Sequence, residues 1–164
     1  MTQADHGTRA ETPFAQRLGR RVIHTEIQIN AAPESVWAVL IDFPSYPQWN
    51  PFITRARKEP GVGGQIEITV RIPDGPTRTF RARVLHVEAG RELRWMGTLP
   101  VPGLCSGEHV LRIEPAGGGS RFLHGETFTG LLVPFMDGLL RKTERGYALM
   151  NQALKARVER IRPS

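Results

Sequence analysis

Three histidines and a glutamate recur at alternate positions of strand-like segments, on the same parity as apolar neighbours. In "RTFRARVLHVE", Phe80, Ala82 and Val84 set the inward parity and His86 continues it. In "ELRWMGTL", Leu93 and Trp95 share one face, with Arg94 on the other. In "SGEHVLRIE", His109, Leu111 and Ile113 share a face, and in "RFLHGETFTG" Phe122, His124, Glu126 and Phe128 do so. "PAGGGS" between the last two is a hairpin signal. Centring its turn on Gly117–Gly118 sets Ile113 opposite Phe122, Leu111 opposite His124 and His109 opposite Glu126. Opposed residues have Cβ atoms about 4.5–5.5 Å apart. A one-residue slip would break the parity of every pair. A two-residue slip would not, so the His109–Glu126 pairing is an expectation for the structure to test. The hairpin "TLPVPGLCS" brings Trp95 toward His109, giving a belt of Val84, Trp95, His109 and Glu126.

A carboxylate in an apolar cup is costly unless paired. His109 can share its proton and the Trp95 indole N–H can donate to it. Three roles are open to this cluster. It can be a satisfied pair that fixes the sheet, or a polar anchor for a ligand carbonyl or hydroxyl. It can also be an acid/base pair, with His109 and Glu126 as the catalytic candidates. Metal binding is not expected, because His109, His124 and Glu126 are scattered over a sheet face and no helix presents a His pair. "SGEH" is not a nucleophile elbow. The glycines of "GVGG" and "GGG" lack a following helix and read as turns, so no cofactor is expected. Cys105, at an inward position, reads as a small core thiol.

The elements that must position these residues follow from periodicity. "RVIHTEIQIN" alternates as a half-buried strand. "APESVWAVLID" reads as a helix with Pro33 in its first turn and Val36, Trp37, Val39 and Leu40 on its apolar face. It should stop near Asp42, because "FPSYPQWNP" cannot continue it; a short second helical turn fits there. Six strands follow, from "FITRARKE" through "QIEITVRI" to "RFLHGETFTG". From Val133 the period becomes helical, with Met136, Leu140, Thr143, Tyr147, Met150, Leu154, Val158 and Ile161 in one stripe. Short links imply an antiparallel sheet, and the long helix is the element large enough to cover its apolar face. "SYPQWNPFI" reads as a rim, with Tyr46, Trp49 and Phe52 plugging one end of the cup.

The 164 residues suggest one domain, at 21–162, after a flexible tail at 1–20. One cysteine excludes an internal disulfide framework and fits a reducing, cytoplasmic setting. No run reaches the length of a membrane span, and the N-terminus lacks a signal-peptide core. The net charge of +6 is concentrated at the ends; residues 134–164 hold seven basic and three acidic side chains. That pattern reads as a solvated helix face rather than a nucleic-acid site. Both a monomer and a homodimer are compatible with this chain.

The element order, together with "AAPESVWAVLIDFPSYPQWNPFI", "ELRWMG", "SGEHVLRIEP" and "FLHGETFTGLLVP", resembles the SRPBCC (START/polyketide cyclase-like) superfamily. It is most similar to the polyketide cyclase/dehydrase and lipid transport branch, over about residues 21–161. The resemblance implies an α+β helix-grip fold, β-α-α-β6-α, with a hydrophobic cavity between a curved seven-stranded antiparallel sheet and the C-terminal helix. It implies a small hydrophobic ligand, such as a lipid, polyketide or aromatic metabolite, in a cavity of order 300–1,000 Å³. The alternatives it brings are a cyclase/dehydrase on the same fold, or an interaction module resembling Hsp90-activator domains. The expected ligand-binding residues are Trp37, Trp49, Phe52, Ile68, Val84, Trp95, His109, His124, Glu126, Phe128, Met136, Leu140, Tyr147 and Met150.

Overall fold

Pro33 sits in the first turn of α1 (Pro33–Ile41), where its missing N–H costs nothing, and Val36, Trp37, Val39 and Leu40 are the buried face. The computed structural model describes residues 19–57 and 61–160. Residues 1–18 of the expected tail at 1–20, and Ile161 and Arg162, lie outside the described residues. The first strand begins at Gly19, two residues before the expected boundary. After α1 come a 3-10 turn (Phe43–Ser45) and the one-turn helix α2 (Tyr46–Trp49).

The strands are β1 (Gly19–Ile29), β2 (Ile53–Arg57), β3 (Gln65–Arg71), β4 (Thr77–Glu88), β5 (Glu92–Thr98), β6 (Ser106–Ala116) and β7 (Gly119–Gly130). All neighbours pair antiparallel, in the order β1-β7-β6-β5-β4-β3-β2. A 3-10 turn (Val133–Phe135) leads into α3 (Asp137–Arg160). Leu140, Thr143, Tyr147, Met150, Leu154 and Val158 of α3 are buried at helical spacing. The sheet wraps on this stripe, which gives the expected helix-grip architecture.

The segment between α1 and β2 is held by its own polar groups. The Tyr46 hydroxyl donates to the Leu40 carbonyl at 2.6 Å, satisfying one of the orphan oxygens of the α1 C-terminus. The Trp49 indole N–H donates to Ser45 Oγ at 3.2 Å. Asn50 Oδ1 accepts the N–H groups of Phe52 and Ile53 at 3.0 and 2.8 Å, which turns the chain into β2. Phe52 then lies edge-on to Tyr147, against Gly146 of α3, where a Cβ would strike its ring.

One expected position is corrected. His86 does not face inward; its side chain is half exposed and lies 3.7 Å from Glu88. The register of β4 on β5 slips between Val84, opposite Trp95, and His86, opposite Arg94. This bulge reverses the parity beyond Val84, so Val87 packs on the core in place of His86. Phe80, four residues before the bulge, keeps its inward parity but is 41% exposed.

Candidate functional site

The β6–β7 hairpin pairs His109 with Glu126, Leu111 with His124 and Ile113 with Phe122, and Trp95 of β5 stands opposite His109. A two-residue loop at Gly117–Gly118, both with positive φ, sets that register. Tyr147 and Asn151, one turn apart on α3, meet the hairpin from the other side.

The hydrogen bonds among these side chains have a single consistent direction. Thr25 Oγ1 donates to the His124 carbonyl at 3.0 Å, so it accepts from Asn151 Nδ2, also at 3.0 Å. Asn151 Oδ1 therefore accepts from His124 Nδ1 at 2.9 Å. Burial, reinforced by nearby His109, pushes the His124 pKa well below the usual imidazole range, against the opposing pull of Asn151. His124 is thus neutral, its Nε2 is an acceptor, and His109 Nε2–H must donate to it at 2.9 Å. This leaves His109 Nδ1 as the outward end of the chain. It lies 3.4 Å from Glu126 Oε2 and 3.2 Å from the Tyr147 hydroxyl. The Tyr147 hydroxyl donates to Glu126 Oε2. Burial, then the Glu126 charge and hydrogen bond, hold the Tyr147 pKa well above the usual phenol range, so it stays a donor. Stacking locks the rings: His109 on Trp95 at 4.4 Å and His124 on Tyr147 at 4.0 Å between centroids.

The outward end opens on a cavity of about 220 Å³ between the sheet and the first half of α3. Its wall is apolar except at Arg78, Thr143, His109, Glu126 and the Tyr147 hydroxyl. The volume is smaller than the range expected from the resemblance. Of the expected ligand-binding residues, the structure brings together Phe52, Ile68, Trp95, His109, Glu126, Phe128, Met136, Leu140 and Tyr147. It places Trp37, Val84, His124 and Met150 in the buried core, out of the cavity lining. Trp49 faces the outer side, along a surface groove of about 610 Å³ with Arg55 and Arg71. Another groove, of about 630 Å³, runs along α1 and the end of α3. Both are larger than the cavity, yet neither touches the buried histidines. Phe80, Gly97 and Leu139 join the lining at its rim. Asn151 is polar and so adds nothing to the apolar stripe of α3; its signal in the sequence is the four-residue spacing from Tyr147. Gly107 is a further supporting residue, because a Cβ there would overlap the Glu126 carboxylate. Cys105 is buried, and burial followed by the charge of Glu126 raises its thiol pKa. Among the described residues no three His, Cys, Asp or Glu side chains form a metal-ligating group. No described helix is long and apolar enough to cross a membrane.

Residues 20–159 match the family model described as "Polyketide cyclase / dehydrase and lipid transport". No curated protein matches the chain. Among solved structures, the ZhuI aromatase/cyclase of a Streptomyces species is 17% identical, with 87% of this chain and 95% of that one covered, at a TM-score of 0.71. Norcoclaurine synthase from Thalictrum flavum, in complex with dopamine and hydroxybenzaldehyde, is 15% identical over 99% of this chain and 100% of its own, at 0.70. Ara h 8.0201 is 17% identical over 87% and 99%, at 0.66. At these identities the likeness is one of fold.

Proposed function

Because this chain belongs to the polyketide cyclase/dehydrase and lipid transport family, we propose that it binds a small hydrophobic molecule carrying one oxygen-bearing end. The observation that carries this reading is the placement of one polar cluster, Glu126, Tyr147 and His109, on a cavity wall that is otherwise apolar but for Arg78 and Thr143. Burying the apolar body of a ligand supplies affinity, and the cluster supplies orientation. Tyr147 engages Glu126 Oε2, and Oε1, which lies over Gly107, is the carboxylate oxygen left to accept from a ligand hydroxyl. The small volume favours a compact, ring-sized ligand over a full-length diacyl lipid.

Native mass spectrometry of gently purified protein tests this reading: a bound molecule of defined mass is expected. In Glu126→Gln it should be retained at least about tenfold more weakly, the loss of a charge-assisted hydrogen bond. Protein that never carries or takes up a hydrophobic small molecule would sink the proposal.

A second reading, an acid/base enzyme of the cyclase/dehydrase type, is favoured by the directional chain from Thr25 to His109 Nδ1. That chain fixes His109 Nε2 as a donor and leaves its Nδ1 beside the Tyr147 hydroxyl and Glu126 Oε2. In such an enzyme Glu126 accepts a substrate proton and the Tyr147 hydroxyl stabilises the developing charge. Turnover that Tyr147→Phe reduces while ligand binding is kept would select this reading over simple carriage.

A further inference from the structure

Five of the exposed large hydrophobic side chains lie in two adjoining segments. They are Leu99 (45% exposed) and Val101 (56%) in the β5–β6 connection, and Leu131 (46%), Leu132 (39%) and Phe135 (86%) between β7 and α3. Backbone hydrogen bonds zip the two together: Leu131 N–H to the Gly103 carbonyl and Leu132 N–H to the Leu104 carbonyl, both at 3.0 Å. Neither stretch, 98–107 or 129–136, contains a charged residue. Pro100, Pro102 and Pro134 stiffen them, so the side chains are presented with little loss of chain entropy. Single exposed hydrophobes are ordinary, but a contiguous group marks a contact surface.

Three features identify what the surface meets. The group borders the cavity: Met136, next to Phe135, and Gly97, two residues before Leu99, are both in its lining. The flanking charge is positive. Arg20, Arg78 and Arg141 have no carboxylate partner among the described residues. Of the flanking acids, Asp137 is paired with Arg21 and Asp74 with Arg145, Glu126 lies in the cavity wall under the Tyr147 hydroxyl, and Glu144 stands two turns further along α3. An apolar tip with a cationic collar matches the interface of an anionic bilayer, where the tip enters the acyl boundary and the collar meets lipid headgroups.

We propose that this surface docks the protein on anionic membranes, with the cavity opening beside the bilayer from which a hydrophobic ligand is drawn. The ligand clause rests on the proposed function; the docking does not. The test is flotation of the full chain with vesicles of phosphatidylcholine alone and of phosphatidylcholine with an equal part of phosphatidylglycerol. Binding is expected to the mixed vesicles and to weaken with added salt. The double variant Leu132→Ser/Phe135→Ser should lower the bound fraction about tenfold or more. Arg20→Glu/Arg141→Glu should lose binding to the mixed vesicles while keeping the thermal midpoint of the parent. A vesicle-free titration with a soluble naphthalene fluorophore separates the two ideas. Loss of fluorophore uptake with flotation intact fails the ligand reading alone. Wild-type protein that stays in solution with both vesicles overturns the docking, as does flotation unchanged by Leu132→Ser/Phe135→Ser. A concentration-dependent dimer that Phe135→Ser dissociates overturns it in favour of a second copy.

Discussion

At the residue scale, the decisive group is His124. It contacts no space a ligand could enter, yet its single tautomer dictates what His109 offers to the cavity. Its neutrality has a consequence for stability. Folded His124 stays unprotonated where an unfolded histidine takes up a proton, near pH ~6.5. Below that pH the unfolded chain binds more protons than the folded one, so stability falls as pH falls. Above it, both forms are neutral and the full stability is present. The slope approaches ~1.4 kcal/mol per pH unit for this one site. Urea unfolding midpoints on either side of pH ~6.5 should show the loss, and His124→Gln should flatten it. A profile unchanged in His124→Gln would assign the dependence to other groups.

At the element scale, alternation carried the reading as far as strand geometry stays regular. The β6–β7 register was legible because "GGG" closes in a two-residue loop and every inward pair agrees in parity. His86 was not legible in this way. A bulge costs one residue and leaves no mark in the local pattern, so parity counted from Phe80 fails after Val84. Trp49 and Phe52 illustrate another limit. Both are apolar, but hydrophobicity does not say which side of the rim a residue faces. The rim itself depends on Asn50, whose Oδ1 holds two buried N–H groups while its Nδ2 makes no hydrogen bond. Asn50→Ala strands both donors and should cost roughly 2 kcal/mol or more. Asn50→Asp keeps the acceptor and discards the idle amide nitrogen, so its thermal midpoint should lie nearer the parent than that of Asn50→Ala. The reverse order would mean that the turn is held by something other than these two bonds.

At the scale of the whole molecule, the layer of His109, His124 and Tyr147 divides the interior in two. On one side the second half of α3 is buried in the core: Met150 and Leu154 are fully buried, and Val158, which also borders the groove along α1, nearly so. On the other, Met136, Leu139, Leu140 and Thr143 look across open space at Ile68, Val70 and Ile72 of the sheet. The same change of volume therefore has opposite consequences on the two sides. Val70 and Val84 are both inward valines on neighbouring strands, but Val70 borders the cavity and Val84 does not. Val84→Phe forces a ring into filled core and should cost about 1–3 kcal/mol. Val70→Phe puts the same ring into the 220 Å³ space, where it gains contacts without displacing any. Its unfolding free energy should stay within about 1 kcal/mol of the parent, while uptake of any hydrophobic ligand falls sharply. Paired denaturation and ligand-uptake measurements on the two variants read the asymmetry directly. Equal destabilisation by both would mean that the space beside Glu126 closes in solution, and the protein would then lack the container that its proposed function requires.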